Sequence, residues 1–505
     1  MSSVKSFSVL GFLTVLNILN FIDRQLLTSF SNFIVPELGL TNTQYGILSG
    51  LAFIVFYSVM GVIMGAIADR VNRPKFMAFG VALWSLLTAA SGLAKNFWML
   101  FFPRIFIGIG ESILTPTSLS YLSEHFNKRN MGFVAGFYYL AVPVGVTLSF
   151  YIAGFLGPLW GWRNCFYALG LLGLILALLM LLFKETPKRE QAIKVMPIGK
   201  VLTKEYFKES IHELRQTIKD SYRLRMTIYG GIAANFILGA LVFDQLWLVN
   251  DKGFDRANIL IISGTIGLPA GILGNLFGGI GSDYFTKVTG QGRQTFLFWC
   301  LLIFSPFIIF YRLTDDTGIL FFSMMFLGFF QWGCLYGPIT SSIQELAPEK
   351  NKALVLAYYL FLTNLVGIGL STTAAGIMTD ILIANSIEKP YSITLLVLDL
   401  GTMSVSGTNI AITIGLRRTI SSEKKSCGSI QSFGQRYSWH SIFPFQNVCT
   451  HTVSGFQKEG RCRSHSETSL TLKRLSRMSI SMVQMLGVIT LSLRDRLVQL
   501  MQTLQ

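Results

Sequence analysis

The chain of 505 residues carries 42 Lys and Arg against 26 Asp and Glu, a formal charge of +16, yet 51% of it is hydrophobic and only 13% charged; its mean hydropathy is +0.52. Soluble domains have about 25% charged residues, so this composition excludes one and requires a polytopic membrane protein. Lipid offers backbone groups no partners, so apolar runs of about 20 residues, enough to cross about 30 Å of hydrocarbon, must be helical.

Twelve such runs are expected, at 7–33, 45–68, 76–94, 98–122, 131–156, 165–183, 226–249, 259–280, 295–311, 319–343, 353–383 and 393–416. The fold class they predict is all-α and integral to the membrane, with twelve transmembrane helices in two pseudo-symmetric six-helix bundles. The bundles are 1–184 and 226–416, separated by a linker at 185–225 and followed by a tail at 417–505. The first run is too long, and too polar at Asp23 and Arg24, for a cleaved signal peptide, and no Gly follows Met1 to accept a myristoyl group.

Runs one and four carry the charges. A charged side chain near a bilayer centre costs about 2.5–3.5 kcal/mol, so Asp23, Arg24, Arg104 and Glu111 would together cost roughly 10 kcal/mol or more if unpaired. Such a cost implies pairing and use. Asp23 and Arg24 are adjacent, about 100° apart around a helix, and need partners elsewhere. Arg104 and Glu111 are two turns apart on one face, about 10 Å along the axis, so both can line a cavity. The expectation is that Asp23 and Glu111 exchange Arg24 and Arg104 between two states. A bound anion would take over a guanidinium, whose fork of donors matches phosphate or carboxylate. A carboxylate so released in an apolar cavity takes up a proton, and Asp23 is the first candidate for coupling. The other reading of these residues is a structural ion pair that fixes helix packing.

Run two ends in Gly65-Ala-Ile-Ala-Asp69-Arg70-Val-Asn72-Arg73-Pro74-Lys75, and run eight ends in the weaker copy Gly279-Ile-Gly-Ser-Asp283, with no adjacent base until Lys287. A small residue lets a second helix approach closely, and an Asp at the helix end can hold amino-terminal amides and a nearby Arg. That combination suits a gate. Lys and Arg in short loops also mark the cytoplasmic side. Loop 2–3 has Arg70, Arg73 and Lys75 and loop 4–5 has Lys128 and Arg129, whereas loop 1–2 has no base and loop 3–4 only Lys95, so both termini are expected in the cytoplasm.

The linker from Lys184 to Arg225 has eleven bases and six acids. Ile211, Leu214, Ile218 and Tyr222 fall at helical spacing, which reads as an amphipathic helix on the inner leaflet or as a solvated linker. The second half offers Asn235, Gln331, Trp332, Tyr336, Tyr359 and Asn364 as cavity residues, each of which can equally cap or cross-link helices. Its core carries fewer charges than the first half's. An apolar, aromatic half facing a charged half suits an amphiphile with an acidic head. From Arg417 onward the tail has thirteen bases and four acids, with Cys427, Cys449 and Cys462 spaced too unevenly for a zinc site. Disorder, a surface on anionic lipid, or a tail added by frame shift or fusion are its three readings.

The halves also match each other. Gly110 to Pro116 leads to Glu124, then Lys128 and Arg129, then Tyr138-Tyr139; Gly333 to Pro338 leads to Glu345, then Lys350 and Lys352, then Tyr358-Tyr359. The offset is about 220 residues, against 214 for the Gly-x-x-x-Asp pair. Duplicated halves that rock about a central cavity are a transporter architecture.

With Asn20-Phe-Ile-Asp23-Arg24-Gln25, the loop from Gly65 to Lys75, Arg104-Ile-Phe-Ile-Gly108-Ile-Gly110-Glu111, Gly161-Trp162-Arg163 and the stretch from Gly337-Pro338 to Gly369, the chain resembles the major facilitator superfamily, and within it the spinster-like branch, over roughly 8–416. It departs from the superfamily loop at Pro74, where a base is usual. The resemblance implies that Asp69, supported by Arg70 and Arg73, locks the cytoplasmic side. It further implies export of a lysophospholipid or sphingoid phosphate, with a small organic or sugar acid as the alternative cargo.

The expected function is therefore secondary active transport of an anionic or amphiphilic solute by alternating access, driven by protons, in a bacterial inner membrane. Membrane lipid, the solute and protons are the expected partners; no cofactor, metal or nucleic acid is expected, and the protein is expected to be a monomer. The five His are scattered at His125, His212, His440, His451 and His465, without a ligand spacing that would suggest an enzyme. A channel would not need duplicated latches. A non-transporting receptor or scaffold is the remaining alternative.

Overall fold

The computed structural model describes residues 3–68, 71–127, 130–185, 204–315, 317–348 and 351–403. The expected latch residues Asp69 and Arg70, the tail at 417–505 and most of the linker's first half lie outside them. Regular structure among the described residues is helical throughout. Helices α1 (Ser3–Ser29), α2 (Ser31–Glu37), α3 (Asn42–Ser49), α4 (Leu51–Ala68), α5 (Arg73–Ser91), α6 (Phe97–Glu111), α7 (Leu114–His125), α8 (Met131–Tyr139), α9 (Ala141–Tyr151) and α10 (Gly157–Met180) form the first half. Helix α11 (Lys204–Asp220) belongs to the linker. The second half contains α12 (Tyr222–Leu241), α13 (Asp244–Asn250), α14 (Arg256–Leu276), α15 (Ser282–Thr289), α16 (Arg293–Leu313), α17 (Ile319–Leu346), α18 (Lys352–Leu362), α19 (Ser371–Ala384) and α20 (Pro390–Met403).

Polar caps set the helix starts at the membrane faces. Thr41 and Gln44 make the two reciprocal bonds of a capping box at α3, and the side chains of Asn72, Asn96, Ser221 and Asp255 accept from first-turn amides of α5, α6, α12 and α14. Each satisfies donors that a helix start leaves without partners. This is why the second run begins near Asn42 rather than at the expected residue 45.

Nine stretches among the described residues are long and apolar enough to cross a membrane, against the twelve expected. One of them, Met131–Met180, has 50 residues, roughly 75 Å of helix at about 1.5 Å per residue and more than twice the hydrocarbon thickness. It breaks at Gly161, whose φ of 73° is a left-handed backbone that glycine takes without strain. Helix α5 is 19 residues long but begins Arg-Pro-Lys, and α20 is a shorter apolar helix. These three segments account for the difference.

Within each half the helices pack through small residues. A Cβ added to Gly80 on α5 would lie 2.9 Å from the Gly110 carbonyl oxygen on α6, and one on Gly110 would lie 3.1 Å from that of Gly80. Only paired glycines permit this approach. Large apolar side chains point outward, among them Phe79 at 59% and Leu178 at 67% exposure, as lipid contact requires.

The described loop residues 71–72, 126–127, 290–292 and 347–348 share one end of the molecule, the basic face; the opposite end is the distal face. The halves meet toward the distal face, α3 against α19 and α9 against α14. Asp380 on α19 accepts from the Asn42 amide at 3.0 Å and side chain at 2.9 Å, and from the Thr43 amide at 2.8 Å and hydroxyl at 2.6 Å. Tyr391 donates to Asn42 Oδ1 at 2.9 Å, Tyr45 to the Val242 carbonyl at 2.9 Å and Asn32 to the Gln245 carbonyl at 2.9 Å. One apolar cluster containing Phe30, Tyr45, Phe243, Trp247 and Tyr391 spans both halves there. A second, with Leu13, Met77, Trp84, Tyr121 and Tyr138, lies inside the first half.

The Asp380 carboxylate is the most heavily bonded of these cross-half contacts. In Asp380→Ala, a population opened at the distal face should appear as longer distances between spin labels at residues 38 and 387. Loss of charge-assisted bonds worth about 1.5–3 kcal/mol shifts the ratio of states roughly ten-fold or more. An unchanged distance distribution would show that Asp380 does not hold this face closed.

Candidate functional site

Asp23 and Arg24 stand on the buried stretch of α1, and Arg104 and Glu111 on α6. Glu111 ends α6, where Ser112 and Ile113 interrupt the run before α7. Arg24 donates Nε at 3.2 Å and Nη2 at 3.1 Å to Glu111 Oε2, with the Glu111 side chain fully buried and that of Arg24 28% exposed. Three rings surround the Arg24 guanidinium: Tyr57 at 4.4 Å, Phe21 at 5.0 Å and Phe53 at 5.1 Å. Such rings favour a cation while excluding water.

Arg104 makes a different set of contacts. It donates to the Arg24 carbonyl at 2.9 Å and the Leu48 carbonyl at 3.4 Å, and lies 5.1 Å from the Phe53 ring centroid. Leu48 is in the last turn of α3, whose carbonyls have no continuing helix to accept from. Two guanidinium groups thus share Phe53, one paired with a carboxylate and one held by main-chain oxygens.

Asp23 is 3% exposed, and neither carboxylate oxygen has a hydrogen-bond partner among the described residues. Trp84 and Thr88 of α5 lie beside it, with the Trp84 indole N–H also unbonded. Glu111 Oε1 and Asn20 Nδ2 are unbonded as well. Buried polar atoms without partners carry a penalty of about 1–3 kcal/mol each. The four charges cancel, but only Arg24 and Glu111 are in contact.

The second-half residues divide by role. Asn235 donates to the Gly231 carbonyl at 2.8 Å and the Tyr359 hydroxyl at 3.3 Å, which cross-links α12 to α18. Tyr336 is 51% and Trp332 40% exposed; Tyr336 comes within electrostatic reach of Tyr57 and Tyr139 of the first half. Asn364 is half-buried in the π-helical turn Thr363–Leu370. Gln331 is 1% exposed, with neither amide atom bonded.

This half does carry fewer core charges, three against four, but the cluster they form was not among the expected site residues. Arg312 is buried between Asp244 at 2.8 Å and Asp399 at 3.0 Å. The signal was present, since an Asp in an apolar run implies the same cost at Asp244 and Asp399 as at Asp23. Arg312 escaped because the expected ninth run stopped one residue before it.

At the basic face, Gly65 approaches Pro116 of α7, whose Cβ would lie 4.0 Å from an added Cβ. Arg73, fully buried, donates its amide to Glu185 Oε2 at 2.7 Å, Nη2 to Glu185 Oε1 at 2.6 Å and Nη1 to Glu124 Oε1 at 2.9 Å. In the second half Asp283 pairs at 2.7 Å with Arg293, not with Lys287, and Arg293 also pairs with Glu345. Arg73 and Arg293 each open the helix after the loop, and Glu124 and Glu345 are the matched glutamates of the internal repeat. Gly279 has open space where a Cβ would stand. These clusters fasten helices within each half. Their charges were visible in the sequence, but the fastening role of Glu185 and Arg293 was not.

At the distal face, Glu37 accepts from Trp162 Nε1 at 2.6 Å and pairs with Arg163, which also donates to the Ala94 carbonyl at 3.0 Å. Slight burial pushes the Glu37 carboxyl up, and the bonds from Arg163 and Trp162 outweigh it and hold it below its usual range. Its contribution to stability is therefore present above the unfolded carboxylate range and lost as pH falls through the lowered value. Solvent screening limits it to about 1 kcal/mol or less.

The family profile described as Major Facilitator Superfamily matches residues 13–372. The chain belongs to the major facilitator superfamily. Among its relatives, the hexuronate transporter of Bacillus subtilis (strain 168) is 27% identical over 381 residues, covering 73% of this chain and 87% of that one. The sphingosine-1-phosphate transporter SPNS2 of Xenopus tropicalis is 28% identical over 293 residues, 54% of each chain. A crystal structure of a bacterial homolog to the human lysosomal transporter Spinster, inward-facing and occupied, shares the fold at TM-score 0.68 and 22% identity, over 82% of this chain and 97% of that one. This superfamily member is a membrane transporter and not an enzyme. Spinster-family transporters are among its relatives.

Arg24→Ala leaves Glu111 buried and unpaired, and should destabilise the detergent-solubilised protein by about 2–4 kcal/mol. Adding Glu111→Gln should restore part of the loss in a thermal-unfolding series. Strictly additive losses would mean that the two side chains do not act as a pair.

Proposed function

We propose that this transporter moves an anionic, amphiphilic solute by alternating access, coupled to protons, with Arg24 and Arg104 as the anion site. The observation that carries this reading is the geometry around Phe53. Arg24, paired with Glu111 through Nε and Nη2, is ringed by aromatics and 28% exposed, so an incoming phosphate or carboxylate can reach it and replace Glu111. Tyr336 and Trp332 supply apolar surface for a tail. The cargoes that name the two sequence relatives, a sphingoid phosphate and a hexuronate, are both anions.

Asp23 is the coupling group in this reading. It is buried, unbonded and beside two guanidinium-bearing side chains that change partners. When the anion takes Arg24, the freed Glu111 draws Arg104 away, and Asp23 carries a proton to balance the charge. The basic face is cytoplasmic, as are both termini, and the distal closure corresponds to an inward-facing state in a bacterial inner membrane. Gly65, Asp69, Arg70 and Arg73 in one half, and Gly279 and Asp283 in the other, form the gate at the basic face, in a protein that works as a monomer. A sugar-acid cargo is the second reading, favoured by the greater share of both chains that the Bacillus relative covers.

Thermal-shift measurements against lysolipids, sphingoid phosphates and sugar acids separate the two cargoes, because a ligand stabilises the state it binds. A stabilising anion whose effect disappears in Arg24→Ala identifies substrate and site together. Stabilisation that survives the substitution removes Arg24 from the site. In vesicles, Asp23→Asn should abolish proton-driven uptake while leaving expression intact, and unchanged coupling would eliminate Asp23.

A further inference from the structure

We propose that Asp244, with Arg312 and Asp399, forms a second proton-binding site, in the C-terminal half, whose occupancy is linked to closure of the distal face. The linkage rests on the transport reading above; the proton site does not. Two carboxylates and one guanidinium leave one uncompensated negative charge, with side chains only 8%, 1% and 2% exposed for Asp244, Asp399 and Arg312. Ionised carboxylates buried in this way are costly unless neutralised. A proton is the smallest charge that balances the site.

The bonding geometry says where it goes. Arg312 Nε donates to Asp399 Oδ2 at 3.0 Å. Its Nη1 stands 2.8 Å from Asp244 Oδ1 as an ion pair, but without hydrogen-bond alignment. Asp399 therefore keeps the guanidinium, and Asp244 takes the proton. The three residues line a half-open cavity of about 500 Å³, counting space open to solvent, together with Gln331. Gln331 is 99% buried by its 1% exposure, and both its amide nitrogen and oxygen are unpartnered. It offers an unpartnered acceptor in the same cavity for an Asp244 O–H.

Among the described residues around the site, the other charges are already engaged. Tyr311 and Trp247 stack around Arg312, at 5.2 Å and 4.6 Å. Lys252, across the Trp247 ring, is tied to the Thr314 carbonyl at 2.5 Å and to Asp315 at 3.8 Å. Asp251 accepts from the Ser392 amide at 2.6 Å. Helix α14 contributes Ser263, bonded to Gln245 at 3.2 Å, and α2 contributes Asn32; α17 contributes Gln331 and Trp332.

The link to closure runs through the chain itself. Asp244 opens α13 at the break after α12. The first half grips that same break, Tyr45 through the Val242 carbonyl and Asn32 through the Gln245 carbonyl. A change of charge at Asp244 therefore acts on the backbone that holds the halves together.

Infrared difference spectra of the full chain in liposomes, acid minus alkaline buffer, read protonated carboxyl groups directly. The wild type should show a carboxylic-acid carbonyl band that disappears in Asp244→Asn. Asp399→Asn should also remove it, because the remaining Asp–Arg pair is neutral without a proton. Asp23→Asn should leave this band in place, which separates failure here from failure of the Asp23 coupling. Gln331→Leu alters no charge and should shift the band, a readout that stands if the Asp variants fold poorly. A band that persists in Asp244→Asn and does not shift in Gln331→Leu overturns the proposal. So does a signal that requires sodium and vanishes when choline replaces it.

Discussion

An ionised side chain inside a lipid-embedded bundle must find a charge of opposite sign or give up its own. In this chain the requirement arises in both halves, with different balances. At its centre the first half holds two carboxylates, Asp23 and Glu111, and two guanidinium groups, Arg24 and Arg104, which cancel, yet only Arg24 and Glu111 are in contact. The second buries two carboxylates around Arg312 alone. Neutrality without full pairing suits a site that exchanges partners, and a net charge suits a site that takes up a proton.

The interruptions of the helices serve this arrangement. The break between α3 and α4 frees the Leu48 carbonyl that Arg104 uses, and the break between α12 and α13 places Asp244 where the first half grips the second. Irregular backbone at membrane depth survives only when it is buried in protein or lines a cavity. Charged site and cross-half contact therefore share elements.

The apolar runs were legible because composition and the absence of backbone partners in lipid leave little choice. Helix starts followed capping residues that the expected runs did not use, so α5 begins at Arg73 rather than 76 and α6 at Phe97 rather than 98. The breaks were less legible, since Gly50 and Gly161 read like any other glycine of an apolar run. Partner choice was hidden too: spacing placed Arg104 and Glu111 on one face, but tertiary packing gave Glu111 to Arg24 and turned Arg104 to main-chain oxygens. The repeat of Glu124 and Glu345 was visible as a pattern, and its meaning emerged only when Arg73 and Arg293 were found against them.

Alternate exposure of one buried anion site is the central claim, and counterflow in proteoliposomes tests it most directly. With unlabelled anion trapped inside and a trace of labelled anion outside, the account predicts a transient accumulation above equilibrium, lost in Arg24→Ala. Simple equilibration without an overshoot, or an overshoot that Arg24→Ala leaves intact, would contradict it.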